Sequence, residues 1–152
     1  MTAGPDDPLG NLRISTDPAD FDLDWIATAL SERSHWALGR GRDVVERSIA
    51  NSLGFAALLG TLEGTRQVGF ARVVTDQATF AWICDVFVDE SVRGHGVGKL
   101  LTAAIVGEPR LQGLKRMLLA TTDAHGLYAQ FGFASLARPD QWMVRMGSPK
   151  DR

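Results

Sequence analysis

Cysteine occurs once in this chain, at Cys84, and tyrosine once, at Tyr128. A single cysteine excludes an internal disulfide and any metal cage built from thiolates alone. The three histidines, His35, His95 and His125, show no metal-ligand spacing, so no metal is expected. Positive charge is also scarce: the formal net charge is −2. That argues against the bulk attraction to nucleic acid that clustered basic charge supplies, while leaving room for a local basic site for a small anion. No apolar run reaches the length of a bilayer span, so no membrane partner is expected. Met1 to Gly10, with Gly4, Pro5, Asp6, Asp7 and Pro8, lacks the basic start and apolar stretch of a secretion signal and reads as a flexible lead-in. A lone thiol with no partner fits a cytoplasmic location.

What is present suits one globular domain, expected over Asn11 to Gly147 with a short tail from Ser148 to Arg152. Hydrophobic residues make up 45% of the 152, enough to bury a core without disulfide or metal support. Leu12 to Ser15 reads as a first strand. Asp17-Pro18 reads as the start of a helix that carries Phe21, Trp25 and Ala29 on one face and ends near Arg33. After the aromatic-bearing connection Ser34 to Gly41, Asp43 and Glu46 have capping-box spacing, which predicts a second helix running to Leu53 and stopping at Gly54. Phe55–Leu59, Val68–Thr75 and Thr79–Val88 read as strands joined by short turns, an antiparallel meander. Gly96 to Val106 has a helical apolar stripe. Arg116 to Thr121 reads as a strand, Ala124 to Gln130 as a short helix, and Phe133–Leu136 and Trp142–Met146 as final strands. The expected fold is α/β (α+β), with a mixed, mostly antiparallel sheet flanked by helices on both faces.

Between a strand and a helix lies Val92-Arg93-Gly94-His95-Gly96-Val97-Gly98-Lys99. Glycines allow positive φ and close backbone approach, and a helix start offers unpaired N–H groups and a positive dipole end to an anion. Lys99 in the first turn opposes that dipole, and a bound anion would account for both charges. A turn that holds no ligand is the other reading of these residues alone. The spacing is that of neither the dinucleotide fingerprint nor the nucleotide-triphosphate loop.

Arg93-Gly94-His95-Gly96-Val97-Gly98 resembles the Arg/Gln-x-x-Gly-x-Gly/Ala signature of the GNAT acetyltransferases. Leu127-Tyr128-Ala129-Gln130-Phe131-Gly132-Phe133 resembles the same family's Tyr-x-x-x-Gly-Phe helix end, and the order of elements agrees from about Leu12 to Met146. Thr75 to Phe80, Cys84 to Val88 and Asp123 to Tyr128 look like a bacterial subgroup of uncharacterised substrate. The resemblance implies acetyl-coenzyme A as acetyl donor, with its pyrophosphate on the turn Arg93 to Lys99 and its pantetheine arm on the backbone of Val86, Phe87 and Val88. It implies Tyr128 as the acid that protonates the leaving thiolate, and an amide near Val86 to Val88 as oxyanion donor. It further implies an acceptor, a small-molecule or peptide amine, walled by the connection that holds His35 and Trp36. A homodimer joined through late strands is part of the same implication.

Asp85 stands out from the residues themselves. On a regular strand it shares a face with Ile83 and Phe87, opposite Trp82, Cys84, Val86 and Val88. A carboxylate between apolar neighbours breaks the local pattern. It fits either a base or amine anchor in the site or a structural carboxylate held by a nearby cation. His125 precedes Tyr128 by three residues and can face the same site, as a substrate contact or as a solvated surface group. Tyr128 itself has a packing alternative, as does Trp36. Cys84 with His125 and Asp123 allows a cysteine-hydrolase reading, against which stands burial of Cys84 as a small apolar residue. Two functions follow: an N-acetyltransferase, or a non-catalytic acyl-coenzyme A sensor module. The turn fits both, and Tyr128 and Asp85 favour the enzyme.

Overall fold

A computed structural model of the chain describes residues 9–148. The lead-in before Leu9 and the tail after Ser148 lie outside the described residues. Five strands form one sheet in the order β1 to β5: β1 (Leu12–Ser15), β2 (Leu53–Thr61), β3 (Gly64–Thr75), β4 (Phe80–Val88) and β5 (Arg116–Leu119). The first four are antiparallel, and β4–β5 is parallel. The parallel step follows from α3 (Val97–Val106), which carries the chain back before β5 begins. This is the mixed, mostly antiparallel sheet that the sequence predicts.

Each face of the sheet is covered. Val97, Leu101 and Ile105 of α3 pack with Phe55, Ala57, Ala71, Val73 and Ile83. On the other face, α1 (Leu23–Thr28) and α2 (Arg42–Ala50) bring Ile26, Val45 and Ile49 onto Phe70. Gly69 marks how closely α3 sits, because an added Cβ there would lie 3.2 Å from Val97 and 3.3 Å from Leu101.

The structure departs from the sequence-based expectations at several ends. Asp17 caps only a 3-10 turn (Pro18–Asp20), and Asp22 caps α1 by accepting from the Trp25 amide at 3.0 Å. A π-helical turn, Ala29–Arg33, then extends α1 to the expected end. α2 starts after Gly41, and Glu46 pairs with Arg42 rather than closing a capping box. Gly54 does not stop that helix; it lies within β2. An added Cβ at Gly54 would sit 2.4 Å from the Phe21 ring, so packing is what calls for glycine there. The final strands at Phe133–Leu136 and Trp142–Met146 are absent. Phe133 packs against the core, but the segment beyond it pairs with no strand among the described residues, and Met143, Val144 and Met146 are left exposed.

Candidate active site

β4 and β5 are paired only from Phe80–Arg116 to Ile83–Leu119. Beyond Ile83, the β5-facing backbone edge of β4 has no strand partner. Backbone groups left this way must find water or a ligand. A cavity of about 420 Å³ opens there, bordered by Cys84, Asp85 and Val86 on one side and by Ala120, Thr121 and Thr122 on the other. Tyr128 and the pair His35–Trp36 complete its wall.

Within this stretch β4 bulges. Phe70 pairs with Phe87 and Arg72 with Cys84, so Asp85 and Val86 together oppose Ala71. Asp85 has φ 52°, in the left-handed region. The extra residue reverses the alternation, which corrects the expectation that Ile83, Asp85 and Phe87 share a face. Ile83 packs with α3. Phe87 lies edge-on to Trp25 and tilted against Trp36, on the opposite side.

Asp85 is only 5% exposed. Trp36 Nε1 donates to its Oδ1 at 3.2 Å, and Arg40 Nη1 and Arg72 Nε each donate to its Oδ2 at 2.8 Å. Of the two sequence readings, the geometry is that of a carboxylate held by cations. Arg40 and Arg72 escaped the sequence reasoning. Arg72 carried the same signal that exposed Asp85, a charge inside an apolar strand between Ala71 and Val73. Thr121 and Thr122 were not singled out as cavity residues, and Asp123 was considered only beside Cys84 and His125, because the segment after β5 carries no periodic pattern.

Tyr128 comes from α4 (His125–Ala129) and is 7% exposed, its ring edge-on to Phe133 at 6.0 Å. Burial, and secondarily the Asp123 carboxylate, push its phenol above the ordinary value, so it keeps its proton at neutral pH. Among the described residues its hydroxyl makes no hydrogen bond, and it is not a sealed, unsatisfied group either. His125 does not share this position. It opens a five-residue helix just after the chain turns at Ala124, and its ring is left in solvent away from the cavity wall, where Asp123 and Ala124 stand instead. Cys84 is half-buried rather than sealed in the core, and it borders the cavity. Burial pushes its thiol up to about 11, so it carries no thiolate to act as a nucleophile near neutral pH.

The glycine turn lies at the end of β4. Asp89 caps a 3-10 turn (Glu90–Val92), and buried Val92 anchors it. Gly94 and Gly96 have φ of 83° and 81°, with open space where a Cβ would stand. Gly96 is the N-cap of α3 and has no side chain with which to cap the first-turn amides. The His95 ring sits 3.2 Å from the Val92 and Arg93 carbonyl oxygens and so is tied to its own turn. Arg93 donates to the Val88 carbonyl at 3.1 Å and stacks over Phe87. Lys99 is exposed. A methyl at Gly98 would make only ordinary contact with Leu127, at 3.5 Å, so packing alone does not call for glycine there.

Comparison with known proteins places these features in one family. Residues 19–133 match the family described as Acetyltransferase (GNAT) family. A Gibberella zeae protein named as a candidate acetyltransferase is 31% identical over 140 residues, covering 80% of this chain and 77% of its own length. A GNAT-family structure from Xanthomonas campestris superposes with a TM-score of 0.83 at 43% identity, covering 90% of this chain and 93% of that one. Rv2747 of Mycobacterium tuberculosis, crystallised with CoA and NLQ, shares the fold with a TM-score of 0.67 at 18% identity, over 82% of this chain and 72% of that one. With most of its length matched and its strand opening, glycine turn and phenol in one arrangement, the chain belongs to the GNAT family of acetyl-coenzyme A-dependent acetyltransferases.

Proposed function

We propose that this enzyme transfers an acetyl group from acetyl-coenzyme A to a primary amine of a small molecule or peptide by direct attack in the cleft between β4 and β5. The observation that carries the proposal is the placement of Tyr128, its hydroxyl without a hydrogen-bond partner among the described residues, on the cavity wall beside the unpaired edge of β4. In this reading the pantetheine arm pairs with the backbone of Val86, Phe87 and Val88. The pyrophosphate rests on the amides of Arg93 to Lys99, where Gly94 and Gly96 leave open space. The neutral amine attacks the thioester carbonyl carbon and forms the C–N bond. A backbone amide of the Val86–Val88 stretch stabilises the oxyanion. Collapse breaks the C–S bond, Tyr128 gives its proton to the sulfur, and the proton lost by the amine passes to water. The CoA bound to Rv2747 supports the choice of donor. A cytoplasmic site of action goes with a reduced lone thiol. Free thiol released from acetyl-coenzyme A across a panel of amines tests the proposal. Turnover with at least one amine is expected, and release that no amine accelerates counts against it.

The acceptor wall is the connection that carries His35 and Trp36. Trp36 is 43% exposed, so it does not plug the core. Trp36→Ala is expected to raise the acceptor KM while costing well under the roughly 3–5 kcal/mol of a fully buried tryptophan. Acceptor kinetics and melting curves check this. Unchanged kinetics with a large fall in melting temperature would make Trp36 structural.

The partner proposed with this function is a second copy of the chain. Trp142 stacks beneath Arg116 at the start of edge strand β5, and beyond it Met143 is 98% exposed and Val144 81%. The segment has strand-like residues and no strand to pair with, while β5 ends the sheet with one edge open. Exchange between two copies would satisfy both needs. Light scattering is expected to give twice the chain mass, falling to one chain mass for Val144→Lys. A monomeric wild type at micromolar concentration would refute it.

A further inference from the structure

A left-handed non-glycine residue inside a sheet needs a cause. Two non-glycine residues among those described have positive φ, Gln77 and Asp85. Gln77 is exposed in the turn between β3 and β4, where such a φ is common. Asp85 is buried in mid-strand, and its surroundings supply little backbone restraint. On the β3 side the pairing skips a residue at Asp85 and Val86; on the β5 side pairing has already ended at Ile83. The side chain supplies what the ladder does not. Its carboxylate receives three donors, two from the connection before α2 (Trp36 and Arg40) and one from β3 (Arg72). Arg72 is itself held by a bond to Ser52 Oγ at 3.1 Å, just after α2. Aspartate also tolerates the left-handed region better than most residues.

We infer that Asp85 is a positioning residue: the Arg40–Asp85–Arg72 clamp, completed by Trp36, holds the bulge in its left-handed form and so aims the backbone of Val86 into the cleft. This rests on the reading that the cleft takes acetyl-coenzyme A. Three protein donors occupy the carboxylate, which gives Asp85 a positioning role that calls on neither the acceptor's proton nor its amine. The clamp also joins the two halves of the site. Trp36 borders the acceptor side and Val86 the donor side, and both are referred to one carboxylate. A shift of the connection therefore moves the strand backbone, and the reverse.

The test is acetyl-coenzyme A affinity, by calorimetric titration well below each variant's melting temperature, for wild type, Asp85→Asn, Asp85→Gly and Asp85→Ala. Alanine neither tolerates the φ nor accepts the clamp, glycine tolerates it unclamped, and asparagine tolerates it and keeps an acceptor oxygen. The expected order of loss is alanine, then glycine, then asparagine. Alanine is expected to lose about tenfold or more and asparagine about threefold or less, with the Val86 amide resonance displaced most in alanine. A base or a purely stabilising residue would leave the donor affinity of the folded variants untouched, and that result overturns the inference. So does an asparagine variant as impaired as alanine. If alanine does not fold, glycine decides: weakened binding supports the clamp, and wild-type binding overturns it. Wild-type protein that fails to bind acetyl-coenzyme A would instead overturn the reading of the cleft.

Discussion

Gly96→Glu is expected to abolish acetyl-coenzyme A binding, with at least about a hundredfold loss in affinity. Two effects add. At φ 81° any side chain is strained, which costs roughly 1–2 kcal/mol. The new carboxylate would also stand at the start of α3, where the pyrophosphate is placed, and like charges brought together at an interface cost about several kcal/mol. Strain and charge separate by comparison with Gly113→Glu. Gly113 has φ 76° and open space around it, and it lies in the loop before β5. That variant is expected to lose similar stability and to bind acetyl-coenzyme A normally. Calorimetric titration of both, after each is shown to be folded, reads the difference. Wild-type affinity in Gly96→Glu would remove the turn from the donor site.

Tyr128→Phe is expected to lower kcat by about 10²-fold, the usual contribution of a positioned acid, with little change in donor affinity. The structure makes the substitution a clean one. The hydroxyl makes no hydrogen bond among the described residues, and the ring contact with Phe133 survives in phenylalanine. Stability is therefore expected to change little. The raised pKa means the phenol has a proton to give throughout the neutral range. Steady-state rates with an accepted amine, under conditions where chemistry limits turnover, measure the effect. A wild-type kcat would reject the role.

The meander of β2 to β4 and the helix that follows the glycine turn were legible because their signals are local. Apolar, aromatic and β-branched runs joined by short turns mark β2 to β4, and an apolar stripe ending at Gly107 marks α3. The end of α2 was misread because Gly54 looks like a helix stop, whereas its real constraint is the Phe21 ring, 33 positions away in the chain. The bulge at Asp85 was illegible for a related reason. Period-two reasoning assumes an unbroken ladder, and the residue that broke the pattern is the one at which the face reverses. The oddity of Asp85 was visible, but its cause was not, because Arg40 and Arg72 meet it only through tertiary packing. The C-terminal run reads as a strand by composition, but a strand needs a neighbour, and no composition reveals whether one is within the chain. Of the two readings of His125, the solvated surface group matches its exposure at the first residue of the short helix α4.

The account turns on where the thioester sulfur lies, and a crystal structure with coenzyme A bound measures that directly. The expected result has the pantetheine arm along β4 beyond Ile83 and the pyrophosphate at Gly94 to Gly98. The sulfur is expected within hydrogen-bond reach of the Tyr128 hydroxyl, about 3–3.5 Å, facing Trp36 across the cavity. Coenzyme A bound with its sulfur remote from Tyr128, or outside the opening between β4 and β5, would contradict it.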